Sequence, residues 1–439
     1  MRKHMVRVLG LSIVSIFLFL LPEARALHMS NLDRSRAETM LKEISRTIQE
    51  HYYDPKIHGV NWNATVAKVS QEIEHSNSMN MAMADIAQAL VSLNDSHTFL
   101  VPPPRPYILH YGFQYQMIGD HCYIMRVRPA SDAEAKGLKP GDELLALDGF
   151  PPNRANLWKM RYRFNLLRPE LRLRLTLRDP QGNQRQVEVE AKVRKLQQVR
   201  DITGEGIWNW VREVQSKEHE QRVRQKELGK QVTILKIPAF LFDTSKTHHM
   251  ITEARQRPGL IVDLRGDGGG AVESLRDLLG GMFDKKIKIA DRQGRKKLKP
   301  EFSKSVVSHA YGGKLVVLVD SKSASAAELF ARVVQLQKRG VVMGDRTSGS
   351  VMEAKQYSYH LGLNTIIPFG ASITYANLIM GDGRSLEHTG VTPDKVMLPS
   401  AADLAAGRDP VLARAAGMLG AKLTPEEAGK LFPYEWPKE

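Results

Sequence analysis

The sequence predicts an α/β chain with helices in front, a β-rich segment in the middle and an α/β body behind. Three observations predict it. Residues 32–95 carry three apolar stripes at helical spacing: Ala37, Leu41, Ile44 and Ile48; Trp62, Val66, Val69 and Ile73; Met83, Ile86, Leu90 and Leu93. Residues 107–195 switch to short β-like runs, with Leu171 to Leu177 alternating at period two. From Val232 onward, compact apolar runs are separated by helical stretches, the pattern of buried, mostly parallel strands joined by crossover helices.

Taken in chain order, the first element is an address. Met1 to Arg7 is basic, Val8 to Leu21 is apolar, and Ala24-Arg25-Ala26 places small residues where a signal peptidase reads. The run is shorter than the roughly 20 residues of a bilayer span. A secretory signal peptide is therefore expected over 1–26, with export across the cytoplasmic membrane, into a periplasm in a bacterial cell. An uncleaved anchor is the competing reading.

A helical segment is expected over 27–100, closed by Pro102-Pro103-Pro104. A β segment follows over 101–198, with strands at Cys122–Val127, Leu144–Leu147 and Leu171–Leu177. A short helix over Ser131–Ala135 is stopped by Gly137. Residues 199–230 are charge-rich and read as an exposed helix or linker. The last segment, 231–439, holds strands at Val232–Leu235, Leu260–Asp263 and Leu315–Val319, and a terminal helical stretch over 403–420.

Composition bounds the chemistry. Hydrophobic content of 42% and charged content of 25% are ordinary for a globular protein and fit disorder or collagen poorly. The single cysteine, Cys122, excludes an internal disulfide framework and any multi-cysteine metal site. His248-His249 makes a poor metal site, because adjacent side chains diverge and no partner spacing accompanies them. No cofactor and no nucleic acid is expected. The net charge of +15 suits an anionic envelope surface but names no substrate.

Three features of the sequence carry chemistry. Ser325 follows the Leu315–Val319 strand and starts a helix, where free amides such as that of Ala326 can face an oxyanion. Ser325-Ala-Ala-Glu328 is equally a capping box. Asp263-Leu-Arg-Gly-Asp-Gly-Gly-Gly270 lets backbone amides at Gly268 and Gly269 approach a ligand. Gly266, Gly268 and Ala271 also satisfy a loose dinucleotide fingerprint, which Asp263, Arg265 and the exported location disfavour. The third feature is His97, after an apolar helical stripe and beside Asp95 and Ser96, an oriented base for a serine nucleophile. No Gly-x-Ser-x-Gly elbow occurs.

In this order the strings Leu93-Asn-Asp-Ser-His-Thr, Gly137-Leu-Lys-Pro-Gly-Asp-Glu, Asp263-Leu-Arg-Gly-Asp-Gly-Gly, Ser323-Ala-Ser-Ala-Ala-Glu328 and Glu387-x-x-Gly-Val-x-Pro-Asp394 resemble the carboxyl-terminal processing (tail-specific) serine peptidases and the tricorn protease core. The resemblance implies a crotonase-like catalytic domain with a helical cap and an inserted PDZ-like domain. It implies that Tyr111-Gly112-Phe113 receives a peptide's terminal carboxylate. In the processing proteases a lysine base aligns with Ser350, so that lysine is missing here, and Lys355 is the nearest substitute. The tricorn-like branch instead uses a histidine preceded by a serine, with a remote glutamate. Ser96-His97 matches the pair, and Glu387 the third member. The expected site is therefore Ser325, His97, Ser96 and Glu387, with an oxyanion hole from Gly268, Gly269 and Ala326. The expected activity is cleavage of peptides or unfolded protein segments through an acyl-enzyme, by a chain able to assemble into oligomers. The alternatives are a non-catalytic peptide- or lipid-binding protein on the same scaffold, and an envelope scaffold using only the peptide groove.

Overall fold

The computed structural model describes residues 29–195, 222–304, 310–362 and 366–436. The leader expected over 1–26 and the larger part of the expected linker lie outside these residues. Among the described residues no helix is long and apolar enough to cross a membrane.

Six strands form the central sheet, in the spatial order Lys395–Val396, Val341–Gly344, Lys314–Val319, Gly259–Asp263, Val232–Lys236 and Arg224–Leu228. Neighbours run parallel except the last pair. Side chains alternate between the two faces. Leu235, Val262, Val317 and Val319 face the helices Thr244–Ala254, Val272–Gly280 and Ala326–Leu336. Ile234, Ile261, Val316 and Leu318 pack beneath the C-terminal helices Pro410–Met418 and Pro425–Lys430. Both faces are covered, which is why these strands read as continuous apolar runs.

Two expectations need correction. Arg224–Leu228 is a sheet strand rather than an exposed helix or linker. It is an edge strand, and edge strands carry charged side chains that suppress the apolar signal. The expected boundary at residue 100 falls inside a strand, Phe99–Val101, which pairs with Gly370–Ser372. That partner belongs to a long hairpin, Met352–Leu361 with Ile367–Met380. The helices α1 (Asn31–His51), α2 (Trp62–His75) and α3 (Met79–Val91) bury their stripes in one core with it, α2 packing against α1 and α3. Ile44, Ile48, Ile86 and Leu90 share one core with Phe369, Ala371 and Ile373. The helices are thus anchored to the C-terminal half of the chain.

The β-rich segment is a five-stranded antiparallel sheet, Phe113–Ile118, His121–Val127, Glu143–Leu147, Arg172–Arg178 and Gln184–Glu190, around its own core. It is latched to the body where the sheet strands end. Gln116 donates to Asp320, and Ser321 Oγ donates to the Met117 carbonyl. Arg154 grips both oxygens of Asp345, at 2.7 and 2.6 Å.

Candidate active site

Ser325 sits where the Lys314–Val319 strand turns into the helix Ala326–Leu336. The turn is built locally. Asp320 Oδ1 accepts the amides of Lys322 and Ser323, and Ser323 Oγ donates to the Leu264 carbonyl on the neighbouring strand end. Ser325 itself adopts φ 52°, ψ −114°. A non-glycine residue there costs about 1–3 kcal/mol, so other contacts must hold it. Its amide donates to the Ser350 carbonyl at 2.9 Å and to Glu328 Oε2 at 3.1 Å. Ser325 and Glu328 have the layout of a capping box, yet only this return half has sound geometry. No hydrogen bond from the first helical turn to Ser325 Oγ is formed among the described residues. The side chain is left half-buried and available.

Glu328 does more than cap. It is fully buried and accepts four donors: Thr347 Oγ1 at 2.5 Å, Gly349 N at 2.7 Å, Ser350 N at 2.9 Å, and the Ser325 amide. Burial pushes its carboxyl up to about 7, against the pull of those donors. It thereby clamps the 347–350 loop to the start of the serine helix.

The glycine loop lies directly against Ser325. A Cβ on Gly269 would come within 2.7 Å of Ser325 Cβ and 3.2 Å of the Ala326 nitrogen, and Gly269 has φ +97°. Here the expected oxyanion set changes. The Gly269 amide donates to Asp267 Oδ1 at 2.7 Å, so it is spent on a buried carboxylate and is not an oxyanion donor. The amides of Gly268 and Ala326 have no hydrogen-bond partner among the described residues. Asp267 is fully buried, its Oδ2 has no partner, and burial raises its pKa strongly. Asp263 and Arg265 are structural: Asp263 is buried between Lys236 and Arg265, which also pairs with Asp409.

The expected base, His97, lies just past the end of α3. Asn94 takes φ 52° and turns the chain. Buried Asp95 then accepts the His97 and Thr98 amides and the Thr374 hydroxyl through Oδ1, while Oδ2 accepts Tyr52 OH. Ser96 Oγ lies 2.7 Å from His97 Nδ1 and 3.0 Å from Glu387 Oε2. The serine has one proton. With it donated to the carboxylate, Nδ1–H of His97 donates to Ser96 Oγ, and Nε2 is left unprotonated. Burial lowers the His97 pKa, with Asp95 opposing, which favours that neutral ring.

Glu387 closes the circuit. Its Oε1 accepts the Ser96 amide at 2.7 Å, and Oε2 accepts the Val351 amide at 2.8 Å. Residue 350 holds the Ser325 amide, and residue 351 holds Glu387, which holds Ser96. The expected nucleophile and base are thus indexed to two successive residues of one loop. Ser325 Oγ and His97 make no hydrogen bond to each other in this structure; such contacts are often loose before substrate binds. His388 Nε2 donates to the Asn94 carbonyl at 2.7 Å and braces the same two loops.

Lys355 is placed elsewhere. It is exposed on the hairpin strand, with its ammonium 5.4 Å from the Tyr357 ring. Tyr111, Gly112 and Phe113 form a separate groove. Gly112 has φ +75°, a Cβ there would meet Ser131 Cβ at 2.5 Å, and its carbonyl accepts the Arg128 amide. Phe113 is buried in the core of the β-rich segment.

Residues 231–397 match peptidase family S41, and residues 34–80 match the tricorn protease C1 domain. The second half of the chain is thus similar to peptidase family S41. The chain is 25% identical over 296 residues to the tail-specific protease of Haemophilus influenzae, covering 64% of this chain but 39% of that protein. It is 22% identical over 385 residues to the carboxyl-terminal-processing protease of Synechocystis, covering 84% and 82%. The fold is similar to that of mature CPAF, with TM-score 0.63 at 16% identity over 85% of this chain and 94% of that one. It is also similar to the photosystem II D1 C-terminal processing protease, with TM-score 0.53 at 17% identity over 89% and 99%.

Sequence reasoning missed Thr347, the amides of 349–351, Asp267 and His388 as parts of this candidate site. Glu328 had a visible signal, its spacing from Ser325, but the signal reads as a helix cap. Gly269 beside Asp267 had a signal too, but which amide points at the carboxylate is a matter of backbone direction.

Proposed function

We propose that this chain is an exported serine endopeptidase of the S41 type that cleaves peptides or unfolded protein segments through an acyl-enzyme. Ser325 attacks the carbonyl carbon. Nε2 of His97 takes the hydroxyl proton and returns it to the leaving amine. The amides of Gly268 and Ala326 receive the oxyanion. Ser96 and Glu387 fix the tautomer and stabilise the imidazolium. On this reading the body over 231–439 is crotonase-like, the helices of 27–100 cap it, and 101–198 is a PDZ-like module presenting the Tyr111–Phe113 groove. Residues 1–26 are the leader that sends it to the periplasm.

The observation that carries this is the hydrogen-bonded run from His97 through Ser96 and Glu387 to Val351, beside the Ser350 carbonyl that holds Ser325. A structural cap has no need of an oriented neutral imidazole. Labelling by a fluorophosphonate probe tests it. Modification is expected at Ser325 and is expected to vanish in Ser325→Ala; an unlabelled native chain favours the non-catalytic binder.

Two further outcomes follow. Gly269→Ala forces a Cβ into Ser325 at a left-handed φ, and a shift of that size costs about 10²-fold in rate. Labelling and kcat should fall together, and thermal stability should drop by the cost of an alanine at that φ, about 1–3 kcal/mol. In the pH profile, kcat/KM should drop on the acid side of a midpoint below 6.5, the ordinary histidine value, because burial disfavours imidazolium. A midpoint above 6.5 would contradict His97 as the base.

A further inference from the structure

The segment Phe432–Trp436 does not lie free on the surface. Tyr434 OH accepts from Gln114 Nε2 at 2.5 Å, and the Arg126 guanidinium stands 4.7 Å from the Tyr434 ring. Arg128 lies 5.8 Å from the Trp436 ring, and the two aromatic rings meet edge-on at 5.0 Å. Arg224 donates to the Pro433 carbonyl at 2.8 Å and faces the Phe432 ring, and Glu435 lies 3.6 Å from Arg222. Alternating aromatics on one side of an extended segment, with a carboxylate between them, meet a row of arginines.

What this segment covers gives it a role. On one side is a cavity of about 110 Å³ between the Tyr111–Phe113 loop and Arg161, Phe164 and Asn165. On the other is a cavity of about 410 Å³ at the carboxyl ends of the parallel strands, reaching Lys236, Gly266, Asp320 and Lys322. Tyr434 lines both, as do Gln114 and Lys322. Tyr434, with Gln114 and Lys322, therefore stands between a groove too small for a ligand, which takes about 300 Å³ or more, and a larger basic cavity. Lys322 lies on the loop that leads to Ser325.

We infer that Phe432–Trp436 is a built-in occupant of the groove mouth, and that a peptide carrying aromatic side chains two residues apart with a carboxylate between them competes for the same arginines. Displacing the segment joins the two cavities into one channel running from the Tyr111–Phe113 loop to the strand ends. The inference rests on the groove reading proposed above for 111–113, but its test does not require hydrolysis.

The test measures binding of a fluorescent, C-terminally amidated peptide of residues 431–436 to the full chain and to Tyr434→Ala/Trp436→Ala. The peptide should bind the double variant at least about tenfold more tightly than the native chain, since a competitor in cis reduces apparent affinity by the occupied fraction. A chain ending after Phe432 serves as the second variant if the double substitution fails to give a cooperative melt. Equal affinity for native chain and variant, or no binding to either variant, overturns the inference. Fluorophosphonate labelling of Ser325 in the same preparations reads the catalytic proposal separately.

Discussion

Ser325→Ala and His97→Ala are each expected to lower peptide hydrolysis by about 10⁴-fold or more, and the double variant to be no worse than either alone. On the proposed mechanism nucleophile and base act as a unit, so removing either leaves only binding and oxyanion stabilisation. Lys355→Ala should stay within about twofold of the native rate on the same scale. Its ammonium is exposed and engaged over Tyr357, on a strand whose register is fixed by pairing with Ile373. Steady-state kinetics on an unfolded protein substrate decide the matter. Loss of activity in Lys355→Ala with survival in His97→Ala would make the lysine the base. Glu387→Gln is the finer probe of the same unit, since it keeps an acceptor for Ser96 but loses the charge that stabilises imidazolium.

The second large effect is expected at Glu328, and it is one of stability. Its carboxyl titrates near 7 in the folded chain, against an ordinary value of 4.5. A folded-state pKa above the unfolded one means that the native state holds the proton more tightly. The associated stabilisation is fully present below about 4.5 and is lost as pH rises through about 7. The span corresponds to about 3 kcal/mol. Glu328→Gln does not titrate, so its unfolding free energy should lack this slope. It should also be less stable throughout. A glutamine offers one oxygen and a donor group to four donors, leaving amides of the 349–350 loop or of Ser325 unmet at about 1–3 kcal/mol each. Denaturant unfolding at pH 5 and pH 8 should show the gap between the two chains narrowing at the higher pH. Parallel profiles would mean that Glu328 is not the titrating group. Fluorophosphonate labelling should fall as well, because Glu328 helps to hold Ser325 at its costly φ.

Much of this was legible in the chain. The stripes of α1–α3, the three apolar strands and the strand-to-helix position of Ser325 follow from local periodicity, and local rules reach them. His97 was a candidate from its place after the third helical stripe, whereas Ser96 and Glu387 gained roles only with the family strings, because each alone is an ordinary polar residue. The hairpin Met352–Leu361 with Ile367–Met380 was not legible. Its outer strand exposes Lys355 and Gln356 side by side, which breaks the alternation of a half-buried strand, and its inner strand is rich in small residues such as Gly370 and Ala371. Arg224–Leu228 was misread for the same reason: its pairing, not its composition, makes it a strand.

The sequence by itself determined which residues could do the chemistry, and where strands and helices would present them. Hydrophobic period, turn residues and residue type are properties of short segments, and they survive without tertiary context. The tertiary structure decided the rest. It settled that Glu387, 291 positions away, bonds Ser96 and not another partner. It gave the Gly269 amide to Asp267, left those of Gly268 and Ala326 open, and put Lys355 over Tyr357. Hydrogen bonds have a reach of about 3 Å and a strict direction. Which donor meets which acceptor is therefore fixed only when the whole backbone is in place.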